Sequence, residues 1–169
     1  MRLYSAKVPQ VASEIVAALT AEADIECEAP KEVQLDIEAV LKQYVNDEQE
    51  VNERARDMAA QRNLPPSELG RLRRLLASEK GIKLGDEAID YLLDQLLEML
   101  MHSGNVEEIY SEDVVLRRKM RGPLRKQEQV EDELAQEVRG RLKHVKEGTT
   151  MWEIEYRRMM EDIKRRKGL

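Results

Sequence analysis

The chain offers few side chains suited to covalent or metal chemistry. Its two histidines are His102 and His144. His102 has Glu98 one helical turn upstream, which would put both on one helix face. Such a pair holds a metal only when further ligands converge from other helices, as in the Glu-x-x-His pairs of di-iron bundles, and that spacing is absent. The one cysteine, Cys27, stands between Glu26 and Glu28. Their charge should raise its pKa and blunt it as a nucleophile. Carboxylates at Glu22, Asp24, Glu26 and Glu28 occupy every second position. The glycine and terminal bidentate glutamate of a calcium loop are missing, so a solvated link is expected. No Gly-rich phosphate loop, nucleophile elbow or Ser/His/Asp set can be assembled. These residues predict no enzyme, and no metal or cofactor.

Charge is more informative. The net charge of −6 is unevenly spread. Residues 22–38 hold seven acids (Glu22, Asp24, Glu26, Glu28, Glu32, Asp36 and Glu38) against Lys31 alone. Residues 117–126 hold six bases and no acid: Arg117, Arg118, Lys119, Arg121, Arg125 and Lys126. Arg71, Arg73 and Arg74 form a further group, and Lys164, Arg165, Arg166 and Lys167 lie at the end. Such patches suit phosphate backbones or an acidic partner. Long exposed helices also carry many charges, and cations at a helix C-terminus favour its dipole. No aromatic residues interleave the basic runs, so any nucleic-acid contact would be backbone-led and salt-sensitive.

The elements that must position these groups are helical. With 37% charged and 41% apolar residues, no Phe and few Gly or Pro, the 169 residues are rich in helix formers. The N-terminus lacks an apolar signal core and no long apolar run occurs, so neither secretion nor a membrane span is expected. A lone cysteine fits a reducing cytoplasm. Val8, Val11, Ala12, Ile15, Val16 and Leu19 recur at helical spacing. Eighty-one residues on, Ile89, Leu92, Leu93, Leu96, Leu97 and Leu100 occupy the equivalent positions.

At the same offset Ile25 falls on Val106, Val33 on Val114 and Leu35 on Leu116; Val51 matches Val130 at 79, and Arg73-Arg74 matches Arg157-Arg158 at 84. This pattern predicts an internal duplication: an all-α, elongated bundle of two pseudo-symmetric repeats, 1–80 and 81–169, forming one cooperative unit. Helices are expected near 6–20, 31–62, 67–79, 86–102, 112–146 and 151–167. Ser5 and Asp86 are the expected caps, Thr150 with Glu153 a capping box, and Gly122-Pro123 a break or kink. The links 24–27 and 105–108 read as loop, with very short strands pairing between repeats as the alternative.

The two long helices carry narrow apolar seams suited to antiparallel pairing with each other or with another chain. Helix 86–102 is apolar nearly all round and belongs at the centre or in an interface. Trp152, Tyr156, Met159 and Ile163 share one face, which either docks the last helix or anchors a partner through Trp152 and Tyr156.

The opening Met1-Arg2-Leu3 with Lys7-Val8, the acidic link at 24–28, and the ending Trp152-Glu153, Tyr156 and Ile163 to Leu169 resemble the bacterial family catalogued as domain of unknown function 507. The resemblance spans essentially the whole chain. It implies a small helical cytoplasmic protein and supplies no catalytic or binding residues. The functional expectation is a non-enzymatic interaction or scaffold protein whose partner is another protein or a second copy of itself. The alternative is a nucleic-acid- or ribosome-associated factor using Arg117 to Lys126 and the basic tail.

Overall fold

The apolar stripe beginning at Val8 becomes helix α1 (Val8–Thr20), entered through a 3-10 turn at Ser5–Lys7. The structure, a computed structural model, describes residues 2–169. Pro30 is the first residue of α2 (Pro30–Gln61), where a missing N–H costs nothing. Then come α3 (Leu69–Lys80), α4 (Ala88–His102), α5 (Asp113–Arg141) and α6 (Thr150–Lys167). The protein is mostly helical. Two-residue strands β1 (Ile25–Glu26) and β2 (Glu108–Ile109) pair antiparallel, Ile25 opposite Ile109. The strand alternative for the two links is therefore the one realised. No helix among the described residues is long and apolar enough to cross a membrane.

Several local expectations are corrected. Ser5 and Asp86 make no side-chain cap; each lies in a 3-10 turn leading into its helix. The cap of α6 is Thr149, not Thr150: its Oγ accepts from Trp152 N at 3.2 Å. Gly122-Pro123 does not end α5, which runs on to Arg141. The proline ring is buried in the helix face turned to the core, so its packing offsets part of the lost backbone bond. The expected span 112–146 shortens because the chain turns after Arg141, with Leu142 buried just beyond the helix.

The long helices do not pair with each other along their seams. Instead α2 and α5 each pack against both α1 and α4. The central core joins Ile15, Leu19, Ile37, Leu41, Leu92, Leu96, Leu116 and Leu124 from those four helices. Beyond it each long helix leaves the centre and takes up its own smaller partner. The far half of α2 packs Val51 and Ala55 on Leu72 and Leu76 of α3. The far half of α5 packs Leu134 and Val138 on Met160 and Ile163 of α6. Helix α4 is central as expected, though Met101 at its end is exposed. The 81-residue offset holds from α1 to α4 but fails in the long helices. It sets buried Val33 on Val114, which is 73% exposed, and exposed Leu35 on buried Leu116.

Candidate functional site

The basic run on α5 faces the chain's own acids. Arg117 pairs with Asp94 and Arg121 with Asp90, both on α4. Lys126 reaches Glu14 of α1 at 2.9 Å. Lys119 pairs with Glu22 and with Asp24 in the first link. Asp24 is almost fully buried, and it also accepts from Ser111 Oγ at 2.6 Å. The Lys119 ammonium and this hydroxyl hold its carboxyl below the usual range. The acidic link and the basic run, two separate solvated segments by sequence, are thus complementary halves of one contact. Arg118 and Arg125 remain exposed and without an ion-pair partner among the described residues.

The basic tail divides in the same way. Arg165 pairs with Asp162, and Lys167 with Glu137 of α5. Lys164 turns inward, its ammonium 5.1 Å from the centre of the Tyr4 ring. Burial, with the nearby Arg2 charge, pulls its pKa down. Trp152 and Tyr156 stack with ring centres 4.8 Å apart and rest half-buried on the α5–α6 core. On the outer side of α6 Met151 and Ile154 are 66% and 61% exposed.

The other sequence candidates are scattered. The pKa of Cys27 is pushed up as expected, but burial is the main cause and Glu107 the second, rather than Glu26 and Glu28. The His102 ring engages the Glu98 backbone carbonyl at 2.8 Å, not its carboxylate. Among the described residues no three of His, Cys, Asp and Glu gather as a metal site would need.

No sequence motif announces the polar junction at the middle of the molecule. Where the long helices leave the central core, the N-terminal segment crosses between them and a cavity of about 340 Å³ opens, lined by Arg2, Glu48, Asn52, Arg56, Arg73 and Glu131. It shares Arg2, Glu48 and Asn52 with a second hollow of about 430 Å³ that reaches Tyr4 and Lys164. Tyr4 donates its hydroxyl to Glu131, and the Arg2 and Lys164 cations both lie over its ring. Burial and Glu131 both push its pKa up. Glu48 is only 7% exposed and makes no hydrogen bond or ion pair with a described residue. Burial raises its pKa, while Arg2 and Arg73 pull the other way. Two further buried atoms, Asn52 Oδ1 and Arg73 Nε, also have no partner among the described residues. The sequence does hold a trace of this site. In α2 the buried spacing runs Tyr44, Glu48, Val51, Ala55; in α5 the matching spacing runs Gln127, Glu131, Leu134, Val138, where Glu131 is half-buried and the others are buried.

Compared with known proteins, the chain matches the family described as protein of unknown function (DUF507) over residues 1–169. It belongs to that family. No curated protein matches it.

Proposed function

We propose that this family member is a non-enzymatic interaction protein, a helical scaffold that receives a protein partner on the outer face of α6. The observation that carries the reading is the exposed apolar pair Met151 and Ile154 on the outer face of α6, a helix otherwise covered with charge. Exposed aliphatic groups suit the dry centre of a protein interface, not a phosphate contact. The ion pairing of Arg117, Lys119, Arg121 and Lys126 also weighs against the nucleic-acid alternative, because each cation already meets an internal acid. The free thiol and the family resemblance favour a bacterial cytoplasm as the setting.

The test is affinity purification from the host at low salt, with and without nuclease, comparing wild type with Met151→Glu/Ile154→Glu. The expected result is a defined protein that survives nuclease and is lost from the variant, while the variant keeps its helical circular dichroism. Partners that vanish with nuclease, and with Arg118→Glu/Arg125→Glu, would hand the function to nucleic acid.

The same proposal takes residues 1–80 and 81–169 as repeats of one unit. Supporting it, an offset of 83 superposes buried Val33, Ile37, Leu41, Tyr44, Val51 and Ala55 on buried Leu116, Met120, Leu124, Gln127, Leu134 and Val138. The last helix of each half, α3 and α6, is also closed by Lys-Gly-apolar with the glycine in the left-handed region, Gly81 at φ 78° and Gly168 at φ 68°. The N–H of Ile82 and that of Leu169 then reach back to close a Schellman turn. Trp152, the single tryptophan, reports on the second half only. In urea its fluorescence and the helical signal should therefore fall together; separate transitions would break the cooperative unit into two.

A further inference from the structure

The polar junction lies apart from the α6 face, and its own unmet hydrogen-bonding groups define a ligand. Four cations (Arg2, Arg56, Arg73 and Lys164) face two carboxylates (Glu48 and Glu131) around the joined hollows. That balance favours an anion. Arg73 Nε is a buried donor with no acceptor among the described residues, and a guanidinium is the group best shaped for a carboxylate or phosphate. The anion alone does not complete the site. Asn52 Oδ1 is a buried acceptor with no donor among the described residues, and the Glu48 carboxylate, which lines the same cavity, can only accept. Leaving such groups unmatched costs about 1–3 kcal/mol each, so a molecule that meets both kinds at once gains from the site as built. The first hollow, about 340 Å³, and its neighbour are in the range of small-metabolite pockets.

We propose that this junction binds a small oxyanion that carries an adjacent hydrogen-bond donor, such as an α-ammonium carboxylate or a hydroxylated phosphate ester. The oxyanion sits on Arg73 and Arg56, and the donor is received by Asn52 Oδ1 and Glu48. Because the cavity is walled by α2, α3, α5 and the N-terminal segment, the occupant ties both outer lobes to the centre.

The test measures binding to the full chain by isothermal titration calorimetry, with thermal shift as a second readout. Four probes are used: glutamate and glycerol 3-phosphate, which carry both groups, and succinate and inorganic phosphate, which lack the neighbouring donor. The expected result is a Kd below 1 mM for glutamate or glycerol 3-phosphate. Succinate and inorganic phosphate should bind at least tenfold more weakly. Which of the first two binds tells carboxylate from phosphate. Arg73→Gln should weaken binding tenfold or more. Arg56→Gln provides the same reading from an exposed side chain that cannot unfold the protein. Asn52→Leu should remove the preference for a donor while leaving the oxyanion affinity. No binding by any probe at 10 mM, equal binding by all four, or binding indifferent to Arg56→Gln and Arg73→Gln would overturn the proposal.

Discussion

Replacing Glu48 with glutamine should stabilise the protein at neutral pH. The carboxylate is 7% exposed and has no hydrogen-bond or ion-pair partner among the described residues. Desolvation outweighs the pull of Arg2 and Arg73, and Glu131 adds to the penalty, so its pKa stands above the ordinary 4.5. A raised carboxyl pKa means that the ionised form is worse off folded than unfolded. The penalty is fully present above the folded pKa and disappears as pH falls below 4.5. An amide of the same shape removes the charge and adds a donor. The expected gain is about 1 kcal/mol at pH 7, the lower end of the cost of an unsatisfied buried polar group. For a chain of this size it corresponds to a rise in Tm of about 2–4 °C. Urea unfolding followed by circular dichroism at pH 7, 5.5 and 4 gives the measurement. The variant's advantage should shrink steadily toward pH 4. A Glu48→Gln protein that is less stable than wild type at pH 7 would show that the cations hold the carboxylate favourably, and the reasoning would fail.

Three further outcomes rest on local geometry. Ala23 sits at φ 55°, in the left-handed region where a Cβ is strained, so Ala23→Gly should raise stability by about 0.5–1 kcal/mol in urea melts, against the usual effect of glycine. Gly140 lies within α5 with open space where a Cβ would stand; Gly140→Ala should add about 0.5 kcal/mol, and a loss would mean that α5 is not regular there. The Lys119 and Ser111 contacts depress the Asp24 pKa below 3.8, so their stabilisation is present above that pH and is lost as pH falls through the folded value. Asp24→Asn should therefore lower the urea midpoint at pH 7, with the difference shrinking as pH falls below 3.8; a difference constant with pH would remove the charge from the account.

The helices are legible in the sequence because each has a clear 3.6-residue stripe, and proline and glycine mark most of their ends. Where sequence and structure part, the cause is a contact made at a distance. The offset of 81 looks continuous because Val33, Leu35, Val114 and Leu116 are all apolar, yet only Val33 and Leu116 are buried. The chain takes two more residues to reach α5 than to reach α2, and a sequence comparison that tolerates apolar matches does not register the slip. Pro123 looks like a break because helix propensity counts the lost bond and not the burial of the ring. The run from Arg117 to Lys126 looks like a surface for a partner because its acids lie 23 to 112 residues away in sequence. Charge patterning along a chain says nothing of what folds opposite it.

The polar junction has a more general cause. The stripe on α2 has to serve two cores: residues 33–45 meet α1 and α4, and residues 51–58 meet α3. On α5, Leu116 to Leu124 and Leu134 to Val138 divide in the same way between the centre and α6. At the changeover the position that continues the stripe lines a hollow and belongs to neither packed core. Glu48 and Glu131 occupy those two positions. A leucine at either would face a hollow rather than a packed wall, and would gain little of the burial energy that fixes Leu41 or Leu134. The architecture thus sets aside a place where polar residues cost least, and both halves of the chain deliver a carboxylate to it. Arg2, Arg73 and Lys164 are supplied by three other segments. A Glu48→Leu/Glu131→Leu chain that folds as well as wild type would show that the junction is dispensable to the fold, so that its charges are kept for what they bind.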